Sequence, residues 1–212
     1  MNASLWIRGY RLLFGALAVY AAAFKYVKDD DSVGNWISKF TVQVNAYAGL
    51  ILLGGALLGT SVLATKRWES LRGAAVVYLV ITFFVYGFLI REFDNPFNTT
   101  RHWTHTVLHQ VMPVVVVIDL YLQPFIHRID WRKALVWTIY PAIYFAYSLV
   151  RGPIVDWYPY DFINPEEVGG YGGVAFESAR ILAGFIGVSL LIIATSHLSL
   201  HVRPHLPSGS RA

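Results

Sequence analysis

The stretch AAVVYLVITFFVYGFLI, Ala74 to Ile90, runs for 17 residues without one charged side chain. A helix crosses the hydrocarbon core of a bilayer with about 20 apolar residues, so the span expected at 74–91 lies near the short limit of a membrane span. Working outward, further apolar runs occupy 41–63 and 5–24 on one side and 104–124, 134–150 and 176–200 on the other, with short charged loops between them. Lipid offers no hydrogen bonds to backbone groups, so segments of this kind are read as helices. The expected fold class is all-α, a polytopic membrane bundle of six transmembrane helices. Residues 1–203 form its single domain, and 204–212, with Pro, Gly and Ser, form a disordered tail.

Composition agrees with this reading. Hydrophobic residues make up 56% of the 212 and charged residues 14%, well below the roughly 25% charge of a soluble domain. There is no cysteine, which excludes disulfides, thiolate zinc sites, iron–sulfur clusters and a cysteine nucleophile. The formal charge of +4 is spread over several loops with no basic stripe. That suits an anionic lipid surface, so the expected partner is membrane lipid and not nucleic acid. Arg8 and Arg11 followed by an apolar stretch and Ala21-Ala22-Ala23 resemble a signal peptide, but the segment is read as an uncleaved first span. Short cytoplasmic loops carry the excess of Lys and Arg. With the N-terminus inside, the inner segments hold 10 such residues and the outer ones 7. The expected location is the bacterial inner membrane with both termini cytoplasmic.

Several features concern packing. Gly55 and Gly59 have the small-xxx-small spacing that lets helix backbones approach. Trp36, Trp68, Trp103, Trp131 and Trp157 lie near span ends, as an interfacial belt would. Pro113 and Pro141 interrupt two spans, and each should kink its helix. The segment 151–175 is long for a connection, and Trp157, Tyr158, Tyr160 and Phe162 make it too aromatic for a solvated linker. It reads as a cap over an outward-facing cavity, with Trp157, Tyr158 and Tyr160 as candidate substrate contacts, or as a plain interfacial loop.

The chemistry-bearing groups gather on two spans. At about 100° per residue, His102, His105, His109, Met112 and Asp119 share one stripe of the fourth span, and ionisable groups in a membrane face the bundle interior. Asp119 lies about 15 Å along the helix from His109, so a buried salt bridge or hydrogen bond is its expected role. His105 and His109, at i and i+4, have the spacing of two metal or haem ligands. No third ligand is apparent, so no metal or cofactor is assigned. His197 and His201 repeat that spacing near a helix C-terminus, which favours cations. On the second span Thr41 and Asn45 share a face. A threonine at a helix start is most often a cap. A threonine hydroxyl becomes a nucleophile when a base takes its proton. A histidine at the same depth on a neighbouring helix would serve, and Asn45 or a backbone N–H would help hold an oxyanion.

Phe40-Thr41-Val42-Gln43-Val44-Asn45 resembles the second-span motif of bacterial six-span membrane proteins related to the eukaryotic androgen-induced-gene family. His109 with Pro113 and Asp119 resembles that family's His-x-x-x-Pro pattern leading to an aspartate. Gly152 with Trp157-Tyr158-Pro159-Tyr160-Asp161-Phe162 resembles its tyrosine- and proline-rich loop before the last span. The three motifs stand in the family's order across 40–173. The resemblance implies an integral-membrane threonine hydrolase acting on lipid esters, with fatty acid esters of hydroxy fatty acids as the substrate class. It implies Thr41 as nucleophile and His109 as base. The family spaces its two histidines by three where this chain spaces them by four, which makes His105 the second candidate for the base. A non-catalytic lipid- or ligand-binding membrane protein, a carrier, and a haem- or metal-binding protein are the alternative readings of the same residues.

Overall fold

The structure, a computed structural model, describes residues 5–29, 32–90 and 103–198. Every regular element among them is helical. The chain opens with α1 (Leu5–Asp29), passes through a short α2 (Val33–Ile37) and returns as α3 (Phe40–Leu57). A single turn, α4 (Thr60–Leu63), leads to α5 (Lys66–Val85), which is prolonged by a π-helical turn at Tyr86–Ile90. Then come α6 (Trp103–Thr106), a second π turn (Val107–Val111) and α7 (Met112–Leu122), which follow one another without a break. Last are α8 (Lys133–Val155), a 3-10 turn (Asp161–Ile163) and α9 (Tyr171–Leu198).

Among the described residues five helices are long and apolar enough to cross a membrane: Leu5–Val27, Phe40–Leu57, Lys66–Ile90, Trp103–Leu122 and Tyr171–Leu198. The expected span at 134–150 falls in α8, which at 23 residues has the length. It is not among the five, because Trp137, Tyr140, Tyr144, Tyr147 and Pro141 dilute its apolar residues. The tail expected at 204–212, together with His102 and His201, lies outside the described residues.

The run that opens the sequence argument forms the centre of the bundle. Residues 72–79 of α5 are buried without interruption, as a helix apolar on all sides should be. α5 packs against α3, α7 and α9, α1 lies mainly along α3, and α8 lies against α9. The α1–α3 seam has a simple origin. Arg11, Gly15, Ala18, Ala22 and Lys25 recur at alternating steps of four and three, and all are buried. That period keeps one stripe facing a neighbouring helix. Small residues there permit close approach: a Cβ on Gly15 would lie 3.0 Å from the Gly49 carbonyl oxygen, and one on Gly49 would lie 2.9 Å from that of Gly15.

Four expectations are corrected here. The second span ends at Leu57 and not at residue 63, so Gly59 sits outside α3. The close helix contact therefore belongs to Gly15 and Gly49, while Gly55 makes room for the Arg11 side chain, whose Cδ would be 3.2 Å from an added Cβ. Trp68 is buried over Gly54 instead of lying in an interfacial belt. Lys25, counted as a loop charge, is a buried residue of α1. The connection before the last helix is 156–170, because α8 continues to Val155 and α9 starts at Tyr171. Pro113 stands two residues after the end of the second π turn, where the Met112 N–H reaches back to the Val107 carbonyl. The proline lacks the donor that would close a normal turn, and the wider turn takes up that defect.

Asp119 has the salt bridge expected of it. Arg11 Nε donates to its Oδ1 at 2.5 Å, and Arg72 Nη2 donates to its Oδ2 at 3.0 Å. Arg11 also bonds the Gly55 carbonyl and the Gln123 side chain, and Arg72 bonds the Gln123 carbonyl. This knot ties α1, α3, α5 and α7 at one end of the bundle. Asp119→Ala would leave two buried guanidinium groups without their counter-charge, which costs about 3–5 kcal/mol. Thermal unfolding of the purified protein in detergent should show that loss, whereas Asp130→Ala, in an exposed loop pairing, should leave the midpoint nearly unchanged.

Candidate functional site

At the opposite end of the bundle, the start of α3 meets the second π turn, α8 and the 156–170 connection around one enclosed cavity. Thr41, His109 and Tyr160 all line it. Its remaining walls are almost wholly apolar, from Phe40, Ile81, Pro141, Phe145 and Phe185 among others. The room inside is small. The centre of a water-sized sphere has about 30 Å³ to move in, enough for one or two waters.

Thr41 is the second residue of α3, which Lys39 leaves without a side-chain cap. The first N–H groups of a helix have no partner within it. Here the Tyr160 phenol supplies one from the far side of the cavity: the Thr41 N–H donates to its oxygen at 3.2 Å, and the Thr41 and Tyr160 hydroxyls lie 3.2 Å apart. The Phe40 backbone also bonds the phenol. Burial pushes the Tyr160 phenol above its ordinary value of 10, and the hydrogen bonds from Thr41 oppose that rise in part.

His109 is buried, 5% exposed, inside the second π turn. Its ring stacks on Tyr86 with centroids 4.3 Å apart and planes at 23°. Tyr86 opens the first π turn, so both partners sit on turns that depart from α geometry, a frequent mark of functional positions. His105 is only half-buried and does not line the cavity. Its ring stacks on His109 at 5.8 Å, and its Nε2 is 3.3 Å from the buried Lys25 ammonium. The two imidazoles thus pack face to face, and among the described residues no group of three His, Cys, Asp or Glu side chains is placed to hold a metal.

Asn45 does not take the role expected of it. Its amide nitrogen donates to the Thr41 carbonyl at 2.9 Å and to the Leu108 carbonyl at 3.1 Å, so both of its hydrogens are engaged. It is fully buried outside the cavity lining. It clamps α3 to the second π turn and has no donor left for an oxyanion. Trp157 and Tyr158 also miss the cavity. Trp157 stacks under the Arg151 guanidinium at 5.3 Å. Tyr158 lies over Gly152, where an added Cβ would come within 2.1 Å of its ring. The part of the connection that covers the site is Tyr160, stacked on Phe162 at 5.1 Å, with Ile163 fully buried behind them.

Sequence reasoning missed Tyr86 and Lys25. The signal for Lys25 was present, since it continues the Arg11, Gly15, Ala18, Ala22 stripe. Tyr86 had no such signal, because the π turn that aims it inward follows from tertiary contacts. Compared with known protein families, with curated proteins and with solved structures, the sequence has no significant match in any of the three.

Tyr160→Phe removes the acceptor for the Thr41 N–H and should cost about 0.5–1.5 kcal/mol, read as a lower melting midpoint. The raised phenol gives a pH test as well. A folded-state value above the unfolded one binds the proton more tightly in the folded protein. The Tyr160 contribution is therefore complete below pH 10, the ordinary value, and is lost as pH rises from there through the folded value. Wild type and Tyr160→Phe should converge in stability over that alkaline range, and a constant gap would contradict the assignment.

Proposed function

We propose that the chain is a membrane-embedded lipid-ester hydrolase with Thr41 as nucleophile and His109 as base. The observation that supports this reading is the small cavity shared by Thr41, His109 and Tyr160, with otherwise almost wholly apolar walls. In the proposed reaction the Thr41 oxygen attacks the acyl carbonyl while His109 takes the hydroxyl proton. The tetrahedral oxyanion is held by the Tyr160 phenol, which replaces Asn45 in that role. The α3 N–H groups bond the phenol oxygen, which strengthens its O–H as a donor. His109 returns the proton to the departing alkoxide, and the alcohol leaves. Water, deprotonated by His109, then attacks the acyl-threonine and releases the acid, with the proton returned to Thr41. The resemblance to the androgen-induced-gene family points to fatty acid esters of hydroxy fatty acids as the substrate class.

The setting that goes with this reading is a six-span bundle in the bacterial inner membrane, with α8 as the fifth span in chain order and both termini cytoplasmic. Once the buried Arg11, Arg72 and Lys25 are set aside, the basic residues divide 8 to 6 in favour of the side that carries the termini. The cavity then opens toward the outer leaflet.

A second reading has its own observation. The Thr41 hydroxyl lies against the Tyr160 phenol, a weaker base than an imidazole. In a lipid-binding protein or carrier that pair would do no more than cap α3 and line a ligand site.

Turnover of a long-chain ester by the reconstituted protein separates the two. His109→Ala should slow it about 10²–10⁴-fold, and Thr41→Ala should abolish it while retaining binding of a fluorescent fatty acid. A fluorophosphonate probe should label wild type and not Thr41→Ala. Equal labelling of the two, or turnover untouched by Thr41→Ala, would refute the nucleophile.

A further inference from the structure

An open groove runs along the outside of the bundle between α5 and α9, beside the enclosed cavity. Ile81, Val85 and Ile181 line both spaces, one on each side. These three aliphatic side chains are the wall between them. The groove is far roomier, about 470 Å³ against about 30 Å³ on the same measure. Gly184 lines it without a side chain: an added Cβ there would touch Ile81 Cδ1 at 3.5 Å, and a large side chain would take up part of the groove. Phe84 and Phe88 border it, stacked at 6.2 Å with planes at 7°, and both are exposed. Arg180 stands at one end, bonded to Glu177 one turn earlier. No Asp, Glu, Lys or Arg follows Arg180 in α9, so it marks where the apolar part of that helix begins, at the depth of lipid headgroups.

We propose that this groove holds an acyl chain of an anionic membrane lipid, its charged head at Arg180, and that the chain reaches the cavity when the Ile81–Val85–Ile181 wall parts. The inference rests on reading the cavity as a lipid site and names its lateral access route. Two observations commit the groove to this occupant. The wall shared with the cavity sets the groove beside the site, and Arg180, which gives one Nη2–H to Glu177, keeps its other guanidinium N–H groups for the phosphate of an anionic lipid head. Branched side chains can swing aside one rotamer at a time, whereas backbone could not.

The test uses the full chain in vesicles containing phosphatidylglycerol with a diazirine on one acyl chain. After irradiation, cross-links are mapped by mass spectrometry. They should concentrate on Ile81–Leu89 and Arg180–Gly184 over the lipid-facing Leu190 and Leu191. Arg180→Gln should lower groove labelling about fivefold, and the same probe built on phosphatidylcholine should label wild type at that lower level. Gly184→Trp should reduce it to the level at Leu191, and Gly184→Leu provides the milder plug should tryptophan disturb folding. Leu191→Trp should change nothing. Labelling spread evenly around the bundle, or unaltered by either plug, would overturn the groove. Thr41→Ala keeps the groove labelling, so the two proposals fail separately. Groove-specific labelling without ester turnover ends the hydrolase reading alone. Turnover that neither plug slows, with even labelling, ends the groove alone.

Discussion

One carboxylate shared by two guanidinium groups governs how this bundle assembles. Asp119 pairs with Arg11 and Arg72, and all three are buried. Placing ions away from water costs several kcal/mol each, and their attraction repays that only with good geometry and further hydrogen bonds. The Gly55 and Gln123 carbonyls and the Gln123 amide oxygen supply those bonds. Any slip of α1, α5 or α7 by one turn would strand a charge in an apolar interior. The cluster therefore selects one register out of many that apolar packing alone would tolerate. Its effect reaches the far end of the molecule. Helices are stiff at 1.5 Å per residue, so fixing Gly55 and Asp119 sets the depth of Thr41, about 21 Å along α3, and of His109, about 15 Å along α7.

The helices were legible in the sequence because apolar runs of this length have few other stable forms. What was misread is instructive. Arg11, Lys25 and Arg72 enter the expected orientation only as charges counted by the side they lie on. Yet Arg11 and Lys25 sit on a stripe whose steps of four and three were visible, and Arg72 begins the longest buried stretch of α5. Charges on the inward seam of an apolar helix are better read as pairing groups than as boundaries. Gly55 and Gly59 failed differently, since spacing cannot say where a helix stops.

The candidate site was legible in part. Thr41 and His109 stand out as polar groups near span ends, their paired roles are what the family resemblance implies, and they line one cavity. Asn45 shares a helical face with Thr41, but its role turned on the Leu108 carbonyl opposite it. That carbonyl belongs to a π turn caused by Pro113, a local defect whose consequence lies across the bundle. Tyr160 stands 119 residues from Thr41 in the chain, and nothing local in either segment announces their contact.

The exchange of Asn45 for Tyr160 follows from what each group can do when a ligand arrives. Asn45 has two donor hydrogens and both hold carbonyls. Turning toward a substrate would break the clamp between α3 and the second π turn. A phenol oxygen accepts and donates at once. In the proposed reaction Tyr160 would keep accepting from the α3 N–H groups while its own hydrogen bonds an incoming carbonyl. The Thr41 hydroxyl would leave the phenol for the imidazole that lines the same cavity. The phenol that caps the helix would thus take a second partner without uncapping it. A cavity with room for only one or two waters would have to widen before an acyl group could reach that phenol.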